Sequence, residues 1–139
     1  MLAHKPRQTG EAPDALAAEA NVRQASGSRR SWTNLKYHHL GIPTSAPQLG
    51  ETYLEKFGFY CTDHESNPYG IQWMRFDEDC PLPEIVQSVP HVAFEVDDLN
   101  EALLGHEILI EPNRPSPGVR VAFVPVDGAP VEFLEYDRR

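Results

Sequence analysis

The sequence predicts an α+β domain built from two like halves. Three observations carry that expectation. From Leu35 onward, short runs rich in β-branched and aromatic residues alternate with Pro, Gly, Asn and Asp, as strands separated by turns do. One segment, Leu99 to Leu104, has the signals of a helix: Asp98 as N-cap, Glu101 three residues on, and Gly105 as a stop. Finally, Tyr37-His-His-Leu-Gly-Ile42 is echoed by Val89-Pro-His-Val-Ala-Phe94, and Tyr69–Asp77 by Ala129–Asp137.

Residues 1–34 lack this texture: they are rich in Ala, Gln, Ser, Arg and Glu, with no aromatic before Trp32. They are expected to form a flexible tail with room for a short helix over Ala12–Gln24, Pro13 standing near its first position. The domain proper is expected at 35–139, with halves at about 35–78 and 89–137. Its first strand is Lys36–Pro43, closed by proline. Thr44–Glu51 has room for one helical turn at most. Thr52–Thr62 forms one long strand, or two broken at Gly58. A turn at Asp63–Pro68, a strand at Tyr69–Phe76 and a loop at Asp77–Pro83 follow, then a brief helical or extended connector at Glu84–Ser88. The second half opens with a strand at His91–Val96, which leads into the capped helix and a strand near Ile108–Glu111. Pro112–Gly118, with three prolines and a glycine, reads as a loop. Val119–Val124 and Pro130–Tyr136 are strands joined by a hairpin turn at Asp127-Gly128.

Composition excludes several classes of function. Twelve Lys and Arg against 21 Asp and Glu give a net charge of −9. Together with the lack of a basic stripe, this argues against nucleic acid as a partner. No apolar run suits a membrane span, and no hydrophobic leader is visible, so a cytoplasmic protein is expected. Cys61 and Cys80 form no CxxC pair and are expected as reduced, structural thiols.

The repeat aligns chemistry as well as pattern. His39 falls on His91, Gln72 on Glu132, Trp73 on Phe133, Met74 on Leu134 and Phe76 on Tyr136. The interval from His91 to Glu132 exceeds that from His39 to Gln72 by about the length of the helix that the first half lacks. Side chains alternate faces along a strand, so Tyr37, His39 and Gly41 are expected on one face, with His38, Leu40 and Ile42 on the other. Gln72, Met74 and Phe76 share a face, as do His91, Ala93 and Glu95, and Glu132, Leu134 and Tyr136. Two imidazoles, a carboxylate and an amide oxygen can thus face one interior, a donor set suited to a divalent ion such as Zn, Ni, Co, Mn or Fe(II).

These segments resemble the vicinal oxygen chelate superfamily, which includes glyoxalase I, methylmalonyl-CoA epimerase, extradiol dioxygenases, and the fosfomycin- and bleomycin-resistance proteins. The likeness rests on His-Leu-Gly-Ile, on His-Val-Ala-Phe-Glu-Val-Asp-Asp-Leu and on Asp-Gly-Ala-Pro-Val-Glu-Phe-Leu-Glu, and it covers about residues 36–137. It implies paired βαβββ modules whose barrel-like mixed sheet curves around a metal, the helix of the first module being reduced. It also implies His39, Gln72, His91 and Glu132 as ligands; without Gln72, a two-His-one-carboxylate triad remains. The activity implied first is that of a glyoxalase-like lyase or isomerase: two adjacent oxygens of a small substrate chelate the metal, and Glu132 moves the proton. An Fe(II) dioxygenase, and a binding protein without chemistry, are the alternatives.

Taken singly, His39 and His91 read as ordinary partly buried histidines; their matched placement is what favours ligation. Glu132 lies between Val131 and Phe133 in a strand that reads as buried, where a carboxylate needs a partner. His38 is expected packed or hydrogen-bonded, and His64, in a polar turn, exposed. Met74, Phe76 and Tyr136 are expected to line the substrate pocket, with Glu95 at its rim and Arg120 as a possible anion anchor. Open sheet edges and a thin first wall predict a homodimer.

Overall fold

The computed structural model describes residues 34–138. Residues 1–33 of the tail expected at 1–34, with the expected helix over Ala12–Gln24, lie outside the described residues. Eight strands form one mixed sheet: β1 (Lys36–Pro43), β2 (Thr52–Leu54), β3 (Phe59–Cys61), β4 (Ile71–Phe76), β5 (His91–Glu95), β6 (Ile110–Ser116), β7 (Val119–Val126) and β8 (Ala129–Tyr136). Helix α1 (Glu84–Ser88) joins the halves, and α2 (Leu99–Ala102) follows β5. The strand order β2-β3-β4-β1-β5-β8-β7-β6 is a palindrome of the two halves about the β1–β5 pair. The sheet curls into a half-barrel, the α+β architecture that the sequence predicts.

The repeat holds at the level of register. β1 runs parallel to β4 with Gly41 opposite Gln72, and β5 runs parallel to β8 with Ala93 opposite Glu132. In each half, therefore, the residue two positions after the aligned histidine faces the Gln or Glu of the closing strand. β1 and β5 pair antiparallel, Gly41 opposite His91, which brings the two histidine strands together at the centre.

Local chemistry sets the elements. The Asp98 side chain accepts from the Glu101 N–H at 3.1 Å, capping α2, and Gly105 at φ +80° follows its end. Gly58, at φ +79°, lets the chain turn from β2 into β3, so the stretch 52–62 is two strands. Asp127 and Gly128 both have positive φ, the requirement of the two-residue β7–β8 hairpin. The expected loop at 112–118 is corrected: Pro112 and Pro115 lie within β6. This strand is at the sheet edge and pairs with β7 through register shifts between Ile110 and Ser116, which tolerates residues that donate no N–H.

Two apolar layers flank the second half of the sheet. Leu99 and Ala102 of α2 pack with Val96, Ala122, Val124 and Phe133 on the convex side. Ala93, Val119, Val121 and Leu134 cluster on the concave side. Among the described residues, no helix is long and apolar enough to cross a membrane.

Candidate metal centre

His39 of β1, His91 of β5 and Glu132 of β8 come from three strands that lie side by side at the centre of the sheet, and all three are buried. Glu132 Oε1 lies 3.2 Å from His39 Nε2 and 3.1 Å from His91 Nε2, and the two nitrogens are 3.3 Å apart. Metal–donor lengths of about 2.0–2.2 Å at angles near 90–110° place neighbouring donors roughly 3.0–3.5 Å apart. The observed triangle has those edges, and its donors are the N,N,O set that suits a borderline divalent cation. The three residues are placed to hold a metal ion.

The surroundings fix the triangle. A Cβ on Gly41 would lie 2.1 Å from Cε1 of His91, so glycine is what lets that imidazole rest against the β1 backbone. The Phe123 ring packs against the same imidazole at a centroid distance of 5.0 Å, the two planes 67° apart. Nδ1 of His91 finds no hydrogen-bond partner among the described residues. Burial alone pushes the Glu132 carboxyl upward, but hydrogen bonds from His39 and His91 outweigh it and hold the group down at about 2. The carboxylate is therefore ionised at neutral pH although it is buried.

A cavity of about 250 Å³ opens beside the triad. Its walls are mostly apolar, with Leu54, Phe57, Phe59, Met74, Val121 and Phe123 prominent, and among the described residues no Lys or Arg lines it. Gln72, Met74 and Tyr136 line it as well. Of the other residues expected there, Phe76 and Arg120 stand elsewhere and Glu95 lies at the margin. Phe76 packs its ring on Phe59, at 5.2 Å. Glu95 ends β5 opposite Lys36, outside the lining itself but near enough for its charge to act on Tyr136 at the rim. Arg120 is corrected as an anion anchor: on β7 it alternates with the cavity residues Val119 and Val121, so it projects from the other face, and its guanidinium donates to Asn100 Oδ1 at 2.8 Å.

Two histidines join the lining against expectation. The β1–β5 register skips His38, passing from Tyr37 opposite Phe94 to His39 opposite Ala93. This bulge breaks strict alternation, so His38 and His39 both face the cavity while Tyr37 is turned outward, 49% exposed. Nδ1 of His38 lies 2.7 Å from Nδ1 of His39, and its Nε2 lies 2.7 Å from the Tyr136 hydroxyl. Burial and the neighbouring His39 and His64 rings lower the pKa of His38, which favours its neutral form. His64 is the second. Its turn, capped by Asp63, folds over the cavity and brings the ring within 4.4 Å of His38, centroid to centroid. The adjacent pair His38-His39 was the one available hint for the first; a polar turn gives none for the second.

No family model and no curated protein matches the sequence. Among solved structures, the chain is similar to the hypothetical protein BH1468 from Bacillus halodurans C-125, with TM-score 0.59 and 21% identity over 76% of this chain and 96% of that one. Methylmalonyl-CoA epimerase from Mycobacterium tuberculosis matches with TM-score 0.49 and 17% identity over 76% of this chain and 89% of that one. The first likeness shows a shared fold.

Proposed function

We propose that the protein is a metal-dependent lyase or isomerase of the vicinal oxygen chelate type, acting on a small, largely apolar molecule that carries two adjacent oxygens. The convergence of His39 Nε2, His91 Nε2 and Glu132 Oε1 beside an apolar cavity is the observation that carries this reading. His39, His91 and Glu132 would hold the ion, with Gln72, on the matching strand of the first half, as a fourth donor. A bound divalent ion supplies Lewis acidity toward a developing enediolate or alkoxide oxygen.

The chain's own groups do the rest. Glu132, whose carboxylate borders the apolar cavity, is the group placed to accept a proton from a substrate held there. Met74, Phe123 and Leu134 exclude water around the reacting centre and give an apolar body its binding surface. An engineered cavity of about 150 Å³ takes benzene. The space here accordingly suits one ring with a short substituent, and its walls offer no Lys or Arg, among the described residues, to pair with a remote carboxylate or phosphate.

The test begins with protein purified without added ions, assayed for bound metal and for rebinding of Zn, Ni, Co, Mn and Fe(II). Loaded protein is then given 2-hydroxyacetophenone in deuterated buffer, with NMR following exchange of its α-protons. Metal-dependent exchange that is lost in Glu132→Gln, and weaker for a ring-carboxylated analogue, is expected. A protein that neither carries nor rebinds metal would overturn the proposal. Two histidines and one carboxylate also form the facial set of non-haem Fe(II) oxygenases. That second reading predicts oxygen uptake only with Fe(II) and no α-proton exchange.

A further inference from the structure

His39 is the second member of a chain of four polar groups that leads from Glu132 to the cavity rim. Its Nε2 faces Glu132 at 3.2 Å, its Nδ1 faces Nδ1 of His38 at 2.7 Å, and Nε2 of His38 faces the Tyr136 hydroxyl at 2.7 Å. Every link joins groups that can either donate or accept, apart from the carboxylate, which when ionised accepts only. Such a chain has two self-consistent polarities. In one, Tyr136 donates to His38 Nε2, His38 Nδ1–H donates to His39 Nδ1, and His39 Nε2–H donates to Glu132. In the other, His39 Nδ1–H donates to His38 Nδ1, His38 Nε2–H donates to the Tyr136 oxygen, and Nε2 of His39 is a bare lone pair.

Resting on the metal-centre reading above, we infer that His38 is a positioning residue that switches tautomer with the state of the site. Without metal, the ionised Glu132 draws the proton of His39 to Nε2 and selects the first polarity. A metal ligand must offer a lone pair, so metal binding selects the second. The exchange balances. The Nε2 proton of His39 leaves to solvent, the Nδ1 proton of His38 crosses to His39, the Tyr136 proton crosses to His38, and Tyr136, 44% exposed at the rim, takes one from solvent. The net proton count of the chain does not change. His38 can serve both states because its ring has one nitrogen facing His39 and the other facing Tyr136. The bulge at Tyr37–His39 is what turns its ring to the same side as His39, and the His64 ring packs beside it. His91 has no equivalent, since its Nδ1 lacks a partner among the described residues.

The experiment uses the full chain with zinc as the probe. Long-range ¹H–¹⁵N NMR should show His38 protonated on Nδ1 in metal-free protein and on Nε2 in zinc-loaded protein, although His38 does not touch the metal. His38→Leu should weaken zinc affinity by about 10–100-fold, the usual cost of losing a group that orients a ligand. His38→Asn, whose amide oxygen can accept from His39 Nδ1 as the ring does, should recover most of that loss. Circular dichroism of both variants separates loss of affinity from loss of fold. Zinc bound by the wild-type protein without tautomer inversion, or equal weakening by His38→Leu and His38→Asn in folded proteins, would overturn the switch alone. A wild-type protein that binds no zinc would overturn the metal reading and the switch with it.

Discussion

Glu132 shows how one residue's surroundings can reverse the effect of burial. Taking a carboxylate out of water raises its pKa, yet two imidazoles aimed at the same oxygen hold this one at about 2 against an ordinary 4.5. A folded-state pKa below the unfolded one means that the unfolded chain binds the proton more tightly, so stability falls as protons are added. The contribution is complete above about pH 4.5 and is lost as pH drops toward 2. Urea unfolding of metal-free protein between pH 5 and pH 2.5 should show this loss, and Glu132→Gln should flatten that part of the profile. Parallel profiles for the two proteins would mean that the carboxylate is not held by the histidines. Glu132 also shows what single residues reveal in sequence. A carboxylate between Val131 and Phe133 announces a buried charge in need of partners, whereas nothing around His64 announces that its turn folds back over the cavity.

At the scale of elements, the pairing of β1 with β5 decides the geometry of the site. Gly41 lies opposite His91 across that pair, and the imidazole occupies the space in which any Cβ would stand. The backbone at Gly41 has no positive φ, so the requirement for glycine comes from contact with His91 and not from chain conformation. Gly41→Ala is expected to displace a ring that is 1% exposed and is held by its present neighbours. Overpacking of this kind costs about 1–3 kcal/mol, and metal affinity should fall by at least about tenfold. Thermal unfolding and zinc titration check the two effects separately, and a variant with unaltered zinc affinity would show that His91 does not ligate. Strand alternation made much of this legible beforehand, because β4, β5 and β8 are regular: Gln72, Met74, His91, Glu132 and Tyr136 line one cavity as their parity requires. Parity gives the face and not the reach, so Phe76 and Glu95 at the ends of β4 and β5 fall outside the lining. It failed where strands are irregular or have two buried faces. The β1 bulge shifted His38, and β7 is apolar on both faces, which left the side taken by Arg120 open. In β6 the prolines suggested a loop because sequence does not show that a strand will be at an edge.

For the whole molecule, the two halves are equal in topology and unequal in cover. Their strand order and register repeat, so the duplication could be read from two short motifs. The second half carries α2 on its convex face, with Leu99 fully buried there. The first half has only the segment 44–51 between β1 and β2, which contains no helix. Tyr37, Leu49, Tyr53 and Tyr69 of that half are exposed, Leu49 completely. The sheet edges argue less strongly for a partner: β2 is three residues long and β6 contains two prolines, both ways of keeping an edge from pairing. The homodimer expected from sequence should therefore form through the outer side of the first half and not by edge-to-edge strand addition. Sedimentation of the full chain at micromolar concentration should give twice the monomer mass of 15.6 kDa. Tyr53→Lys combined with Tyr69→Lys should return it to the monomer without loss of zinc binding, because neither residue lines the cavity. A wild-type monomer under those conditions would remove the dimer altogether. A dimer indifferent to both substitutions would place its interface elsewhere.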